Sequence, residues 1–516
     1  MNISDSPTVI IPTAGLGSRL GDISKFINKA LLPYDNKPVL SHIIEQFPDD
    51  TKFIIPLGYK QEQIVDFCEL TYPEKNIEFV HVPNYIEDFT GPGYTIKCCL
   101  ENINSAFFYI PCDSYFVRDF NYVYENDVYF VKNVDQTMNQ HYTTFLLEND
   151  LIKDLQFKQN TSANYTAFTG VMYIKDYLGF KERLVKLQSP EIIYTITLDS
   201  RVKFLNSWID FGNLEVYKDV VNQLGKYDFT KNDEITYITN NKVIKYWTDN
   251  TIANKKHKKY LTNPKVYPSN VKYKNNWLTY DYFSGTTLYC HDDITCFDSY
   301  LKWLDEDVWI QDKNKDIKTQ ALSFYKNKTI ERVNKFLKKY PDLTTVTHIN
   351  DVEVKDFTYY LNSIDWEMLI NDVLPSFTHG DLHFDNTIIS SNNTYKVIDW
   401  RHEFGDIIEY GDIYYDLAKL YGGFVIDYSK IKENTFKLEY KDSKVYLEIP
   451  HAKNYEFYLK SLTEFIKNKN YNIKKVKLLV PIIYWNMSPL HTDPFDKFCW
   501  YLGILMFQEL HNENFL

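Results

Sequence analysis

One stretch near the N-terminus constrains the fold more than any other: Thr8 to Pro33, TVIIPTAGLGSRLGDISKFINKALLP. It opens on a short apolar run rich in β-branched residues, the composition of a buried strand. Gly15 and Gly17 end that strand and start a polar loop. With no Cβ at those two positions, the backbone of Ala14, Gly15, Gly17 and Ser18 can approach a polyphosphate closely. Arg19 adds a planar fork of charged donors, and Lys29 brings a second cation from a different piece of backbone, inside Lys-Ala-Leu-Leu-Pro. Two common phosphate loops do not fit. Leu20 stands where a dinucleotide fingerprint needs its third glycine, and no Gly-Lys-Ser/Thr closes the loop as in a Walker A motif.

A strand feeding such a loop implies an α/β sheet covered by helices. Further strands are predicted at 53–57, 79–82 and 106–110, with helices at 39–47, 61–72 and 94–101. The strand at 106–110 runs into Pro111-Cys112-Asp113. A carboxylate just past a strand end lies where such sheets bind ligands, and its oxygens suit magnesium. Trp208-Ile209-Asp210-Phe211-Gly212-Asn213 repeats the arrangement ahead of a helix predicted over 213–224. In this order, Gly-x-Gly-x-Arg, Lys-x-Leu-Leu-Pro, Asp113 and Asp210 resemble the nucleotidylyltransferases that activate sugar phosphates and phosphocholine. The resemblance implies a Rossmann-like, GT-A-like domain over 1–226, with Arg19 and Lys29 as catalytic cations on the triphosphate. Ala14, Gly15, Gly17 and Ser18 would then cradle the nucleotide, and Asp113 and Asp210 would hold Mg2+. Ala167-Phe168-Thr169-Gly170-Val171-Met172 resembles the family's wall for the acceptor phosphate, although a lone strand glycine also marks a bulge.

Turn formers concentrate between Gly225 and Asp233, where the domain boundary is placed. Glu234–Thr239, Asn240-Asn241 and Lys242–Trp247 then read as a hairpin, because asparagine tolerates the positive φ of a tight turn. Lys245 on its outgoing strand is a candidate for gripping the α- and β-phosphates of ATP; the alternative is a solvent-facing lysine. No glutamate lies between Glu234 and Glu306 to pair with it from a helix, and Asp249 is the nearest acid. Trp277–Phe283 reads as a hinge strand, and helical patterns follow at 321–339 and 366–373. Further on, His379-Gly380-Asp381 and Asn386 fit His-x-Asp-x-x-x-x-Asn, and a hairpin returns the chain to Asp399. With the run Asp412 to Ala418, which contains Asp416, this resembles aminoglycoside phosphotransferases and choline kinases. The resemblance implies a bilobal, protein-kinase-like α+β domain over 227–516, with its small lobe at 227–285 and a helical lobe at 286–516. Asp381 would orient or deprotonate the acceptor hydroxyl, while Asn386 and Asp399 would hold Mg2+ on ATP. The glycine-rich loop of protein kinases is absent.

Composition narrows the partners. The formal charge of -12 argues against nucleic-acid binding, and the run Lys255-Lys256-His257-Lys258-Lys259 reads as a solvated helix face. Seven cysteines, an odd number without a Cys-x-x-Cys pair, point to reduced thiols. No leader pattern and no long apolar run is visible, so a cytoplasmic protein without membrane insertion is expected. Together the two resemblances imply a bifunctional enzyme. It would phosphorylate a small alcohol with ATP, then transfer a nucleotidyl group from CTP or another NTP, yielding an activated precursor for capsule or lipopolysaccharide decoration. Choline or a related amino alcohol is one acceptor, with Trp400, Tyr410, Tyr414, Tyr415 and Trp485 available for a cation cage. A sugar is the other, and a non-catalytic first domain is a third reading.

Overall fold

The β-branched run forms the strand Thr8–Ile10, buried along its length in the interior of a nine-stranded mixed sheet. The computed structural model describes residues 6–87, 90–159, 164–223, 233–291 and 293–516. Val9 sits between Phe53 of the parallel strand Lys52–Leu57 and Phe108 of the parallel strand Phe107–Tyr109. Asn76–His81 extends this parallel half on the far side of Lys52–Leu57. Helices Val39–Ile44, Gln61–Thr71 and Pro92–Lys97 make the crossovers, so the central strands are covered on both faces and read as unbroken apolar runs. Parallel strands all end at the same edge. The glycine loop after Ile10 and Asp113 after Tyr109 are both delivered there.

The other half of the sheet is mostly antiparallel. The long strand Tyr165–Ile174 pairs with Phe107–Tyr109, Val128–Lys132 and Thr143–Glu148. Its register slips between Phe168 and Met172, where Gly170 takes φ 82°. A Cβ there would lie 2.6 Å from Cγ of Pro111, so the glycine marks a bulge that presses the strand against the turn leading to Asp113. Ile10, Tyr109, Tyr129, Met172, Phe180 and Leu184 belong to the core beneath.

The described residues fold as two compact units, 6–223 with Asp233–Thr248, and 249–516. The boundary expected at 226/227 and the end of the helix at Leu224 lie outside the described residues; that helix is seen as Leu214–Gln223. The hairpin Glu234–Thr239/Lys242–Trp247 forms as expected, with Asn240 and Asn241 at φ 47° and 52°. It packs within the first unit. Tyr237 Oη donates to the Leu31 carbonyl, the Ile238 amide to Asn36 O at 2.7 Å, and Asn240 Nδ2 to Thr71 O at 2.6 Å.

The second unit is mainly helical. Ile413–Val425 packs on Ile473–Met487, which packs in turn on Phe495–Asn512. Two π-helical turns, Leu304–Val308 and Leu322–Asn327, interrupt the helical run before the loop containing Asp381. The basic run lies on the helix Asn250–Thr262, and there the expectation of a solvated face needs correction. Lys256 and Lys259, three apart and so on one face, are buried; the Lys256 ammonium donates to the Trp400 carbonyl, and Lys259 is only 1% exposed. All seven cysteines are free thiols, and among the described residues no helix is long and apolar enough to cross a membrane.

Candidate active sites

In the first unit a cavity of about 590 Å3 opens at the strand ends. Ala14, Gly15, Gly17, Ser18, Arg19, Lys29, Asp113 and Asp210 all line it, and so does Gly170 of the bulge. Local structure explains the convergence. Gly17 adopts φ 67° and turns the chain into the short helical turn Ser18–Leu20, which carries Arg19. Asn28 then fixes Lys29. Its Oδ1 accepts from the Ala30 amide at 2.9 Å, while Nδ2 donates to Thr13 O at 3.1 Å and Tyr59 O at 2.7 Å. This wholly buried asparagine ties the Lys29 turn to the end of the first strand, a role the sequence hints at only through its place as a helix cap.

The two aspartates meet because their strands pair. Trp208–Asp210 runs antiparallel to Ser114–Phe116 with Asp210 opposite Ser114, and the Phe211 amide donates to Asp113 O at 2.8 Å. At Gly212 a Cβ would come within 2.9 Å of Asp210 Oδ1 and 3.0 Å of both an Arg19 guanidinium nitrogen and Asp113 Oδ2. The three side chains thus crowd one point that only glycine leaves open.

Charge follows geometry. Lys29 Nζ lies 2.8 Å from Asp113 Oδ2. Burial opposes the lysine's charge, but the Asp113 carboxylate outweighs it and raises the ammonium's pKa. Burial likewise works against the Asp113 carboxylate, and Lys29 and then Arg19 bring its pKa below the usual range. Asp210 goes the other way: burial and the neighbouring Asp113 charge push it up to about 6, against the Gly212 amide, Arg19 and Lys29. Two carboxylates held this close, one of them reluctant to ionise, form an oxygen donor set that a hard divalent cation would relieve. The residues present fit magnesium.

In the second unit Asp416 organises the loop. Wholly buried, it accepts from the His379 amide at 2.8 Å, the Gly380 amide at 2.7 Å and Trp309 Nε1 at 3.1 Å. Trp309 directly follows the first π-helical turn. His379 Nδ1 accepts from the Asp381 amide at 3.2 Å, which leaves Nε2–H to donate to Ile398 O at 2.7 Å. Burial keeps that imidazole neutral, its pKa lowered to about 3. Ile398 N in turn donates to Asn386 O at 2.9 Å, joining the two arms of the hairpin Thr387–Ile389/Tyr395–Val397 beside Asp399. Asp399 itself sits at φ 58°, in the left-handed region that aspartate and asparagine adopt more readily than other side chains. Asn386 commits its amide nitrogen to Asp381 O at 2.8 Å, which keeps its amide oxygen as an acceptor. Asn386 and Asp399 therefore offer oxygen donors on either side of the same hairpin, again suited to magnesium.

Asp381 is ion-paired at 2.6 Å with Lys419, a residue of the helix Ile413–Val425 that carries no mark in the sequence pattern. Burial opposes the Asp381 charge, but Lys419, then His383 and Arg401, hold its carboxyl well below the usual carboxylate range. Lys245 belongs to the hairpin of the first unit. It is buried, 4% exposed, with its ammonium 3.3 Å from Glu234 Oε1 across the same hairpin. Its acid partner is thus a diagonal cross-strand residue, while Asp249 caps the helix Asn250–Thr262 by accepting from the Thr251 amide at 2.9 Å.

Comparison with known proteins finds one family match within each unit. Residues 9–122 match the MobA-like NTP transferase domain, and residues 338–440 match the phosphotransferase enzyme family, APH. Among curated proteins, the bifunctional protein GlmU of Methanococcus vannielii is 30% identical over 111 residues, 21% of this chain and 25% of that protein. GlmU of Methanococcus maripaludis strain C5 is 26% identical over 218 residues, 40% of this chain and 51% of that protein. The chain spans between a quarter and about half of the length of these curated relatives. Among solved structures, the CTP:phosphocholine cytidylyltransferase LicC of Streptococcus pneumoniae is similar at 20% identity and TM-score 0.36, covering 43% of this chain and 100% of that one. A glucose-1-phosphate thymidylyltransferase of Bacillus anthracis gives 20% identity and TM-score 0.36, covering 44% and 98%.

Proposed function

We propose, for a chain carrying a nucleotidyltransferase domain followed by a phosphotransferase domain, a bifunctional enzyme acting in two steps on one small alcohol. The second unit transfers the γ-phosphoryl group of ATP to the alcohol. The hydroxyl oxygen attacks phosphorus, the bond to the bridging oxygen breaks, and ADP leaves with that electron pair while the hydroxyl proton is released. The first unit then joins the phosphomonoester to the α-phosphorus of a nucleoside triphosphate, CTP in our reading, and pyrophosphate departs. The product is an activated precursor of the kind that surface-polysaccharide decoration consumes.

The observation that carries this reading is the convergence of Arg19, Lys29, Asp113 and Asp210 on one cavity. A binding module without chemistry has no need of two cations and two crowded carboxylates at a strand edge. Magnesium held there by Asp113 and Asp210, and in the second unit by Asn386 and Asp399, would neutralise phosphate oxygens as charge develops. Arg19 and Lys29 meet the charge that accumulates on the leaving pyrophosphate. Asp381, kept ionised against burial by Lys419, then His383 and Arg401, is the residue that orients or deprotonates the acceptor hydroxyl.

The cage expected for a choline-like cation does not assemble from the residues named for it. Trp485 is buried against Trp500 and Phe507, at ring-centre distances of 5.4 and 4.5 Å. Trp400 packs on Tyr267 with the rings tilted and their centres 4.3 Å apart, and Tyr414 already carries Lys475 at 4.6 Å. The test is direct: pyrophosphate release from CTP or UTP, with a panel of phosphorylated alcohols and magnesium. Release with none of them would remove the nucleotidyl-transfer half of the proposal.

A further inference from the structure

The surroundings of Asp381 hold more positive charge than the loop itself can use. Beyond Lys419, Arg401 is anchored by Nε donating to Gly380 O at 3.1 Å, and its guanidinium lies 5.3 Å from the Phe324 ring centre and 5.9 Å from that of Tyr415. Lys328 Nζ lies 3.0 and 5.8 Å from the same two rings, which meet edge-on at 4.9 Å. Two cations therefore share one aromatic pair. Arg332, a turn further along the helix Lys328–Lys339, has one guanidinium nitrogen on Asn486 O at 3.0 Å.

Among the described residues, none of Lys328, Arg332 and Arg401 has a carboxylate at ion-pair distance. Burial, then Arg401, Arg332 and Lys419, drive the Lys328 pKa well below its ordinary value, with Asp381 as the opposing charge. Half-buried cations gathered without counter-ions are costly unless an anion joins them. The triphosphate of ATP is one such anion. Lys328 and Arg332, however, come from a helix separate from the hairpin that carries Asn386 and Asp399.

We propose that Lys328, Arg332 and Arg401 form the acceptor subsite, and that the alcohol phosphorylated there carries an anionic group, a carboxylate or a phosphate, held beside Asp381. The inference rests on the kinase reading of the second unit and names its substrate class. It separates this enzyme from one built for choline, whose permanent positive charge would be repelled.

Matched acceptors test it. ADP formation is compared for ethanolamine and serine, glycerol and glycerate, and glucose and glucuronate, with glycerol 3-phosphate as the phosphate arm and choline as the cationic control. The member of each pair that carries the carboxylate should be preferred by about tenfold or more in kcat/KM. Lys328→Met and Arg332→Gln should each raise the acceptor KM about tenfold while leaving the KM for ATP within about twofold. Equal or better use of the members without an anionic group overturns the proposal, as does a rise confined to the KM for ATP. If no acceptor yields ADP, calorimetric titration of glycerate into the wild-type protein and both variants separates the two failures. Binding that the variants lose keeps the anion subsite and discards the kinase reading. No binding to the wild type discards the subsite.

Discussion

Arg19 and Lys29 reach the same cavity from different turns, and their chemistry sets what their loss should do. A cation that meets charge only as it develops contributes to turnover more than to ground-state binding. Arg19→Ala is therefore expected to lower kcat for nucleotidyl transfer by about 10²–10³-fold with a smaller rise in the KM for the triphosphate. Arg19→Lys should recover only part, since a point charge does not reproduce the fork. Steady-state kinetics with varied NTP checks both, and a change confined to KM would make Arg19 a binding residue only. In the second unit His379 is a neutral buried imidazole whose pKa falls from an ordinary 6.5 to about 3. The unfolded chain takes up a proton there that the folded chain refuses. The resulting stability is full above pH 6.5 and declines as pH falls toward 3, by about 1.4 kcal/mol per pH unit. His379→Gln should remove that share of the acid sensitivity, read as the shift in urea midpoint between pH 7 and pH 5. Identical shifts in variant and wild type would assign the sensitivity to other groups. Arg19, Lys29, Asp113, Asp210 and Asp381 were all nameable from sequence, because strand ends and glycine turns place them. Asn28, Lys419 and Arg401 were not, since each acts through contacts between segments far apart in the chain.

At the scale of elements, the bulge at Gly170 links sheet packing to the site. Alanine there must hold φ near 82° and push into Pro111, which lies in the turn before Asp113. Gly170→Ala should destabilise the first unit by about 1–3 kcal/mol and lower nucleotidyl transfer as well. Gly212→Ala differs: its Cβ meets the Arg19, Asp113 and Asp210 side chains rather than backbone. It should depress nucleotidyl transfer strongly with a change in thermal midpoint of only a few degrees, on the order of 1 kcal/mol. Paired thermal melts and pyrophosphate assays distinguish the two, and full activity in Gly212→Ala would contradict the crowded geometry. Hydrophobic period read the parallel strands and the Asn-Asn hairpin well, because burial on two faces and a positive-φ turn leave strong local marks. The π-helical turns were invisible, since their shift of one residue per turn leaves the apolar pattern nearly helical. The basic run misled, because charge counts do not say which stem packs inward; Lys256 and Lys259 lie under the chain at Trp400 and Phe377.

At the scale of the whole molecule, the account requires two chemically independent sites working in sequence. Both could be recognised because each depends on motifs compact in sequence, the glycine loop and the His379–Asp399 segment. The acceptor left no such motif; Lys328, Arg332 and Arg401 come together only in the folded chain. The measurement that bears most directly on the central claim is mass spectrometry of products from one incubation holding ATP, CTP, magnesium and the alcohol panel, run with wild type, Asp381→Asn and Asp113→Asn. Wild type should convert one alcohol to its nucleotide-activated form, with one ADP and one pyrophosphate per product. Asp381→Asn should yield that product only when the phosphorylated alcohol is supplied, and Asp113→Asn should stop at the phosphomonoester, with nucleotidyl transfer slowed by on the order of 10³-fold. Loss of both activities in either folded variant, or an activated product from Asp113→Asn at the wild-type rate, would contradict the account.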